Sequence, residues 1–458
     1  MVNVHSLVFN DMVSQVYLAA KVCVRGKIAI EEEKRIKTIS NSVGCGHESL
    51  LEHTNLITII EKDSKDTDIQ ELTKFLETLK YLNYRIYYKD TKMFIIISGS
   101  IRGYKHIIRN IVDLNNKYVE YIKESLYRTP KYFYKDFIDD EILNEKEFVK
   151  FSCINNKNKI FINENDEAES TELEDKPITT IISKDKKPNI LFMDDIRVLA
   201  EEISRITKLD INLDDLLDFC SMTILFTISR TAANQLVRHR NAISQESQRY
   251  VSYENTPFIN PFDDIESEDG RLVTVKKIIN KRAESAISDY SFLLRNYPDL
   301  VKKEDARSIL PANMETVVLM TFTYKSLIQA IELRTSKAAQ REIRNNFLYL
   351  EEKLKSILFG SKIKCEDNLK LYVWSTKNHF YRSNSSFSID YLNFIDNENI
   401  KDELTDENGE VITEERKEEL KKMASEYAKA VLDWEPDYST NMNKTDNFIE
   451  PNKEYDNI

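Results

Sequence analysis

The second half of the chain contains an apolar run that passes directly into a segment with helical spacing. Met222–Ile228 is rich in β-branched and aromatic residues, which favours a buried strand. Ser229 follows as a candidate N-cap for a helix over "RTAANQLVRHR", in which Arg230, Asn234 and Arg238 recur every four residues. The pattern predicts a strand-to-helix corner with its polar, cationic residues on one helix face.

The same plan recurs downstream. Thr316–Thr323 predicts a second strand, and "YKSLIQAIELR" predicts a helix whose Leu327, Ile328 and Ile331 face inward. A long amphipathic helix is then predicted from Lys337 to about Leu358.

A weaker version of this plan is present near the N-terminus. Met93–Asn110 follows the strand-and-helix pattern of Met222–His239, and "ESLLEH" at 48–53 resembles "DDLLDF" at 214–219. We interpret the similarity as a degenerate internal duplication whose first copy lacks the arginine cluster. Chance similarity between short strand-and-helix units is the alternative.

The composition is that of an ordinary globular protein. The chain has 458 residues, 41% of them hydrophobic and 10% aromatic. Because it has neither a long apolar run nor a secretory leader pattern, we expect a cytoplasmic protein that does not bind membranes. The five cysteines are scattered without metal-ligand spacing, so we expect neither a disulfide framework nor a metal site.

Charge and composition suggest boundaries along the chain. The net charge is -12, and the tail over 396–458 holds 19 acidic residues against 8 basic ones, so the rest is near neutral. The segment 163–189 is charged, contains two prolines and has no periodicity. We expect an N-terminal domain over 1–162, a linker over 163–189, a catalytic core over 190–395 and a partly helical or disordered acidic tail.

The stretch "RHRNAISQESQRY" at 238–250 concentrates anion-binding groups. Arg238, His239 and Arg240 are predicted at a helix C-terminus, where the macrodipole stabilises cations. They point in different directions, so one carboxylate cannot satisfy them all, whereas a phosphorylated ligand can. The next residues add groups that bind phosphates, sugar hydroxyls or base edges, namely Gln245, Glu246, Ser247 and Arg249.

This pattern predicts a nucleotide pocket without identifying the nucleotide. Pairing with the protein's own acids is the alternative. Nucleic-acid binding is disfavoured, because the arginines are confined to one place and no aromatic residues are interleaved with them.

Four ordered stretches resemble the flavin-dependent thymidylate synthases, also called thymidylate synthase-complementing proteins. "QLVRHRNAISQESQRY" is similar to their Arg-His-Arg signature, and "GCGHESLLEH" resembles their Gly-His-x-Ser/Thr-x-x-Glu-His element. "LAAKVCV" resembles the segment before that element, and "ARSILPANMETVVLMTFTYKSLIQAIELRTSKAAQREIR" resembles the second substrate-binding region. The resemblance covers roughly residues 10–61 and 215–375. It implies an α+β fold with a central, mainly antiparallel sheet flanked by helices.

The resemblance also implies an activity. It implies a methyltransferase that reductively methylates dUMP to dTMP, with 5,10-methylenetetrahydrofolate and NADPH as co-substrates and FAD as bound cofactor. The partners would be small molecules, with no nucleic acid and no membrane. A catalytically degenerate nucleotide-binding relative with a regulatory or scaffolding role is the alternative, motivated by substitutions on the flavin side.

Site residues follow from the resemblance, position by position. Those implied for dUMP are Gln235, Arg238, Gln245, Glu246, Ser247, Arg249, Arg307 and Arg334. Those implied for FAD are His47, Ser49, Glu52, Arg238, His239, Arg240, Gln245, Thr323, Lys325 and Gln329.

Arg334 matches the arginine that activates the pyrimidine, where a fixed guanidinium stabilises negative charge on the ring. This route needs no cysteine nucleophile, and Cys220 is expected to be a buried structural thiol. Ser247 has no evident general base, so we assign it to phosphate binding. We expect His53 to be a packed residue at a helix end.

The sequence departs from the family pattern in three ways. Arg240 and Ser247 are one residue closer than usual, and Thr323 and Lys325 replace more usual flavin-side residues. About 180 residues separate "GHESLLEH" from "RHR", too many for a connecting loop, so they must contain folded elements. The family's members are tetramers. Since one chain with a duplication can imitate two subunits, we expect a homo-oligomer, a dimer or a tetramer, and favour the dimer.

Overall fold

The computed structural model describes residues 2–29, 31–110, 116–134, 149–153, 186–263, 265 and 269–359. The described residues form two compact units, a larger one within 1–259 and 312–359 and a smaller one within 260–311. The predicted linker up to residue 185 and the acidic tail lie outside the described residues. Within the described part of the chain, no helix has the length and apolar character needed to span a bilayer.

The N-terminal half of the larger unit is built on a five-stranded sheet. Its order is β3-β4-β2-β1-β5, antiparallel except that β5 runs parallel to β1. The strands are β1 Asn3–Val8, β2 Leu56–Asp63, β3 Asn83–Lys89, β4 Lys92–Gly99 and β5 Val149–Cys153. The helices are α1 Met12–Val24, α2 Glu32–Gly44, α3 Ile69–Thr78, α4 Ile101–Asn110 and α5 Lys117–Tyr127, with a 3₁₀ turn over Glu48–His53 before β2.

The C-terminal half is built on a four-stranded antiparallel sheet in the order β6-β7-β9-β8. Its strands are β6 Asn189–Met193, β7 Ser221–Ser229, β8 Ala242–Gln245 and β9 Glu315–Thr323. Its helices are α6 Ile196–Thr207, α7 Arg230–Leu236, α10 Tyr324–Thr335 and α11 Arg341–Phe359, with a 3₁₀ turn over Leu213–Leu216 before β7. The smaller unit contains α8 Gly270–Asn296 and α9 Lys303–Ala306. The α+β class with antiparallel sheets and flanking helices is confirmed.

The two sheets share one plan. The order β3-β4-β2-β1 in the first half corresponds strand for strand to β8-β9-β7-β6 in the second. The shared topology supports the duplication, and the 3₁₀ turns before β2 and β7 agree with the predicted match of "ESLLEH" to "DDLLDF". The other predicted alignment was wrong. By topology, β4 and α4 correspond to β9 and α10, not to β7 and α7. The sequence alignment chose the wrong strand because buried strands that lead into helices have similar apolar sequences.

The predicted elements of the C-terminal half are present with small differences. All nine residues of β7 are buried, as its continuous apolar run predicts. The helix predicted over 230–240 ends earlier, at Leu236, and continues as a 3₁₀ turn over Val237–His239. The last helix begins at Arg341 rather than Lys337.

The hydrophobic cores are shared by the two halves. One cluster packs Ile57, Ile59 and Ile96 of the first sheet with Ile224 and Met320 of the second. The other cluster combines Leu225, Val317 and Leu319 of the second sheet with α1 and the opposite face of the first sheet. The division into an N-terminal domain over 1–162 and a catalytic core over 190–395 stays a prediction; among the described residues, each sheet covers apolar surface of the other half.

Buried Asp194 also joins the halves. Its carboxylate accepts hydrogen bonds from Asn10 Nδ2 at 2.6 Å and Asn55 Nδ2 at 2.8 Å, both in the first half. It also accepts from Ser221 N at 2.6 Å and Ser221 Oγ at 2.8 Å, at the start of β7. These contacts fix the start of β7, which leads to the arginine cluster.

Candidate active site

The strand-to-helix corner after β7 is held by a cap and a buried carboxylate. Ser229 Oγ accepts a hydrogen bond from Ala232 N at 3.1 Å, which confirms the predicted N-cap. Glu342 of α11 accepts from Ser229 N at 2.6 Å and from Ser229 Oγ at 2.5 Å. Burial raises the pKa of Glu342. The corner that carries the arginines is thus fixed to α11.

Arg334 is held by neutral groups. Its Nε donates to His239 Nε2 at 2.9 Å, and its terminal nitrogens donate to the side-chain and backbone oxygens of Gln235 at 3.3 and 2.9 Å. Burial, assisted by the charge of Arg334, lowers the pKa of His239 to about 4, so the ring is neutral near pH 7. Its Nε2 is therefore free of a proton and can accept the bond from Arg334.

The guanidinium of Arg334 is oriented without a compensating carboxylate among the residues that the structure describes. Burial and the neighbouring charge of Arg238 lower its pKa. A guanidinium that keeps its charge in this environment attracts an anionic ligand.

Arg238 and Arg240 are exposed, and neither side chain has a hydrogen bond or ion pair with another described residue. Arg240 adopts φ 52°, the left-handed conformation that ends the 3₁₀ turn and starts the path into β8. His239 lies between them and faces inward toward Phe347, with ring centroids 6.0 Å apart. The cluster thus presents two uncompensated cations outward and one neutral imidazole inward.

In the loop after β8, fewer side chains are accessible to a ligand than the sequence predicts. Glu246 is 2% exposed and pairs with Arg25, which also donates to Thr256 Oγ1 at 2.8 Å. Burial raises the pKa of Glu246 although Arg25 lowers it. The prediction that Glu246 lines an open pocket is therefore corrected, since its carboxylate is enclosed.

The other loop residues predicted for dUMP are more accessible. Ser247 is partly exposed, donates its backbone N–H to Cys23 O and accepts from Arg249 N at 3.3 Å. Arg249 is exposed, with its guanidinium 5.6 Å from the Tyr250 ring. Gln245 Nε2 is buried and has no partner among the described residues. This unpartnered buried amide at the end of β8 is a group that a ligand oxygen can satisfy.

The "GHESLLEH" element lies against the same sheet. His53 is fully buried, with Nδ1 3.0 Å from Thr321 Oγ1 and Nε2 3.1 Å from Ser244 Oγ. Burial lowers its pKa to about 3, so it is a neutral packed residue, as the sequence predicts. These contacts join the 3₁₀ turn Glu48–His53 to β8 and β9.

His47 and Ser49, both predicted for FAD, are exposed on this element. Glu52 is half-buried and pairs with Arg102. Two cations of α4 hold the neighbouring Glu48: Lys105 Nζ donates to it at 2.6 Å, and both Arg109 terminal nitrogens donate at 2.6 Å. These contacts, with Arg109 the largest influence, lower the pKa of Glu48 to about 2.

A cavity of about 620 Å³ lies beside this element. Three of the residues predicted for FAD line it, namely Glu52, Arg240 and Thr323. Thr323 Oγ1 also accepts from Ser326 N at 3.2 Å and caps α10. The N-terminal half also lines the cavity, through Glu52 and through residues that sequence reasoning did not assign to the site, such as Arg102 and Arg109.

Other predicted residues lie elsewhere. Lys325 pairs with Asp218 at 2.8 Å, which also accepts from Arg85 at 3.0 Å, so the charge of Lys325 is compensated within the protein. Gln329 is exposed on α10. Arg307 is exposed in the smaller unit, where its Nε donates to Glu304 O at 3.1 Å.

The residues that sequence reasoning missed are on α4 and in the turn before β3. Arg102, His106, Arg109 and Tyr81 line the cavity. The recurrence of these cations on one side of a short helix was the available signal.

Comparisons with known proteins point to one family. Residues 169–358 match the family model described as thymidylate synthase complementing protein. A flavin-dependent thymidylate synthase from Geobacter sulfurreducens is 37% identical over 120 residues, or 26% of this chain and 48% of that protein. One from Clostridium tetani is 32% identical over 127 residues, or 26% and 51%. One from Mycobacterium bovis is 29% identical over 150 residues, or 30% and 58%. The chain spans about half the length of the curated relatives it matches.

Proposed function

We propose that this chain, whose residues 169–358 match the family model described as thymidylate synthase complementing protein, is an FAD-dependent thymidylate synthase. The reaction would be reductive methylation of dUMP to dTMP, with 5,10-methylenetetrahydrofolate as carbon donor and NADPH as reductant. The names of the relatives support dependence on a flavin and the synthesis of thymidylate.

The observation that carries the proposal is the charge state of the arginine cluster. Arg334 is oriented by neutral His239 and by Gln235, and Arg238 and Arg240 lack carboxylate partners among the described residues. Structural arginines are ordinarily paired with acids, whereas three guanidinium groups left uncompensated at one corner favour an anionic ligand.

The residues fit a flavin dinucleotide. The cavity provides cationic, hydroxyl and amide groups through Arg240, Thr323 and Asn241. Its volume, about 620 Å³, lies within the range of cofactor sites. Arg240, Thr323 and Glu52 would hold the cofactor, which when bound supplies hydride for reduction of the transferred carbon.

The chain's own residues would prepare the pyrimidine. The Arg334 guanidinium stabilises negative charge that develops on the ring, which favours attack by the carbon to be methylated. His239, neutral near pH 7, orients Arg334 without cancelling its charge. Arg238, Ser247 and Arg249 would bind the phosphate, because guanidinium and hydroxyl groups donate to phosphate oxygens. Burial raises the pKa of Cys220 and of Cys23, whose backbone contacts Ser247, so neither thiol is activated as a nucleophile.

A second candidate is a nucleotide-binding relative that has lost flavin turnover and has a regulatory or scaffolding role. Lys325, which the resemblance implies for FAD, replaces a more usual flavin-side residue and pairs with Asp218 within the protein. This alternative predicts dUMP binding without reduction of a flavin.

An anaerobic single-turnover experiment separates the two candidates. For the enzyme, NADPH bleaches the visible absorption of bound flavin, and addition of dUMP with methylenetetrahydrofolate yields dTMP, detected by chromatography. Binding of dUMP to a preparation that cannot be loaded with flavin would support the second candidate instead.

We also propose a homo-oligomer and favour the dimer. The two halves of the chain have the same strand order. One chain can therefore provide two copies of a sheet that two separate subunits would otherwise provide. Light scattering should give twice the chain mass, and a tetramer mass would remove this proposal.

A further inference from the structure

The wall of the cavity opposite Arg240 comes from a part of the chain outside the family match. Tyr81, Ser100, Arg102, His106 and Arg109 line this wall, and all belong to the N-terminal half. They are not among the residues that the family resemblance implies for any ligand.

Two glycines bring the wall together. A Cβ at Gly99 would lie 2.4 Å from Leu82 Cδ2 and 3.4 Å from Tyr81 O. A Cβ at Gly103 would lie 2.7 Å from Leu82 Cδ2 and 3.1 Å from Tyr81 O. The absence of side chains at these positions lets the Tyr81–Leu82 segment approach the start of α4. Tyr81 is thereby positioned beside the α4 cations at the cavity.

The charges of the site favour a ligand with a small negative charge. Glu48 is held by Lys105 and Arg109, and Glu52 is held by Arg102. With Arg240, the described residues of this region provide four cations and two carboxylates, a surplus of two positive charges among them. A diphosphate matches this surplus, and arginines present paired donors to its oxygens.

The same wall presents a flat aromatic surface. Tyr81 is 63% exposed, and its ring lies edge to face with His106, with centroids 4.4 Å apart. An exposed aromatic ring at a cavity is suited to stack against a purine or another planar heterocycle. Diphosphate-binding and ring-stacking groups on one wall are the combination that a nucleoside diphosphate requires.

The position of Arg334 indicates which end of the cofactor lies here. Arg334 and His239 are not part of the cavity lining, whereas Arg240 is. The reacting ring must lie near the pyrimidine and Arg334, so the cavity takes the part of the cofactor that does not react. We propose that the N-terminal half binds the adenosine diphosphate portion of FAD, with Tyr81 and His106 beside the adenine and Arg102 and Arg109 at the diphosphate. This inference rests on the proposed flavin-dependent function.

Binding of FAD and FMN to the flavin-free full chain, measured by quenching of flavin fluorescence, tests the proposal. Tyr81→Ala should weaken FAD binding about tenfold or more and leave FMN binding unchanged, because FMN lacks the adenosine portion. Tyr88→Ala is the matched control, since Tyr88 is 66% exposed on β3 and does not line the cavity.

A second variant tests the cations. Arg102→Gln removes one guanidinium assigned to the diphosphate and should weaken FAD binding about tenfold. Arg128→Gln, an exposed arginine after α5, is the control and should bind FAD as the wild type does. Circular dichroism establishes that each variant is folded.

The outcomes separate this inference from the proposed function. If the wild type binds FAD and both variants bind it equally well, or if Tyr81→Ala weakens FMN as much as FAD, the adenosine assignment is overturned while the enzyme proposal stands. If the wild type binds neither flavin, the proposed function fails, and this inference fails with it. Binding of dUMP, measured by calorimetry on the same preparations, should be the same in all variants.

Discussion

At the scale of single residues, the site depends on an arginine held by a neutral histidine. A carboxylate in the place of His239 would orient Arg334 equally well but would cancel its charge. The buried, neutral imidazole instead leaves that charge available to a ligand. Orientation and charge are thus supplied by different groups.

Arg334→Ala should therefore lower kcat by about a hundredfold or more, the loss typical of removing a preorganised electrostatic donor. FAD should remain bound, because Arg334 does not line the cavity. Tritium release and flavin fluorescence measure the two effects. Arg205→Ala, at an exposed position of α6, is the control. Turnover near that of the wild type in Arg334→Ala would refute the role of Arg334.

His53 should make stability depend on pH. Its pKa in the folded protein is lowered to about 3 from 6.5, so the unfolded chain binds more protons between these values. The free energy of unfolding contributed by neutral His53 therefore rises with pH across this window and is complete above it. Urea titrations should show that His53→Gln has a smaller rise from pH 4 to 7 than the wild type. Equal slopes would contradict the burial of a neutral ring.

Sequence reasoning succeeded for residues whose partners are near in sequence. The Ser229 cap was predicted because its partner is Ala232 N, three residues away. The contact between His239 and Arg334 was not predicted, since it joins residues 95 positions apart. Likewise, the enclosure of Glu246 depends on Arg25, the C-cap of α1, which local spacing cannot reveal.

At the scale of elements, the corner between β7 and α7 is stabilised by the Ser229 N-cap and by a contact from α11. Glu342 of α11 accepts two hydrogen bonds from Ser229, and burial raises its pKa. This contact links the end of the chain's described part to the start of the arginine-bearing segment. The strands and helices could be predicted from periodicity. The correspondence between the strands of the two halves could not, because β4, β7 and β9 are all apolar runs that precede a helix.

Glu342→Ala should destabilise the protein by about 2–3 kcal/mol, because two buried donors of Ser229 lose their acceptor. Glu342→Gln should cost less, since the amide oxygen can still accept one bond. Urea denaturation measures both, with Glu352→Ala on an exposed position of the same helix as the control. A loss in Glu342→Ala no greater than in the control would contradict the proposed clamp.

At the scale of the whole molecule, the two halves are mutually dependent. Each sheet buries apolar residues of the other half, and Asp194 is bonded to Asn10 and Asn55 across them. The sequence predicted the duplication. It also predicted separate domains, because the composition of the segment 163–189 is typical of a linker, whereas packing between distant residues leaves no local signal.

A fragment of residues 189–359 should therefore fail to unfold cooperatively, since loss of Leu7, Ile57 and Ile96 exposes apolar surface of the second sheet. Differential scanning calorimetry of the fragment and the full chain measures this. Co-expression with residues 1–162 as a separate chain should restore a cooperative transition. A fragment that melts as cooperatively as the full chain would show that the halves are independent.

The most direct test of the central claim is release of tritium from dUMP labelled at the carbon to be methylated. With FAD, NADPH and methylenetetrahydrofolate, the account predicts tritium release into water with equal formation of dTMP. Both should be lost when any one of the three is omitted or when Arg334→Ala replaces the wild type. Protein that carries FAD and binds dUMP yet releases no tritium would contradict the claim.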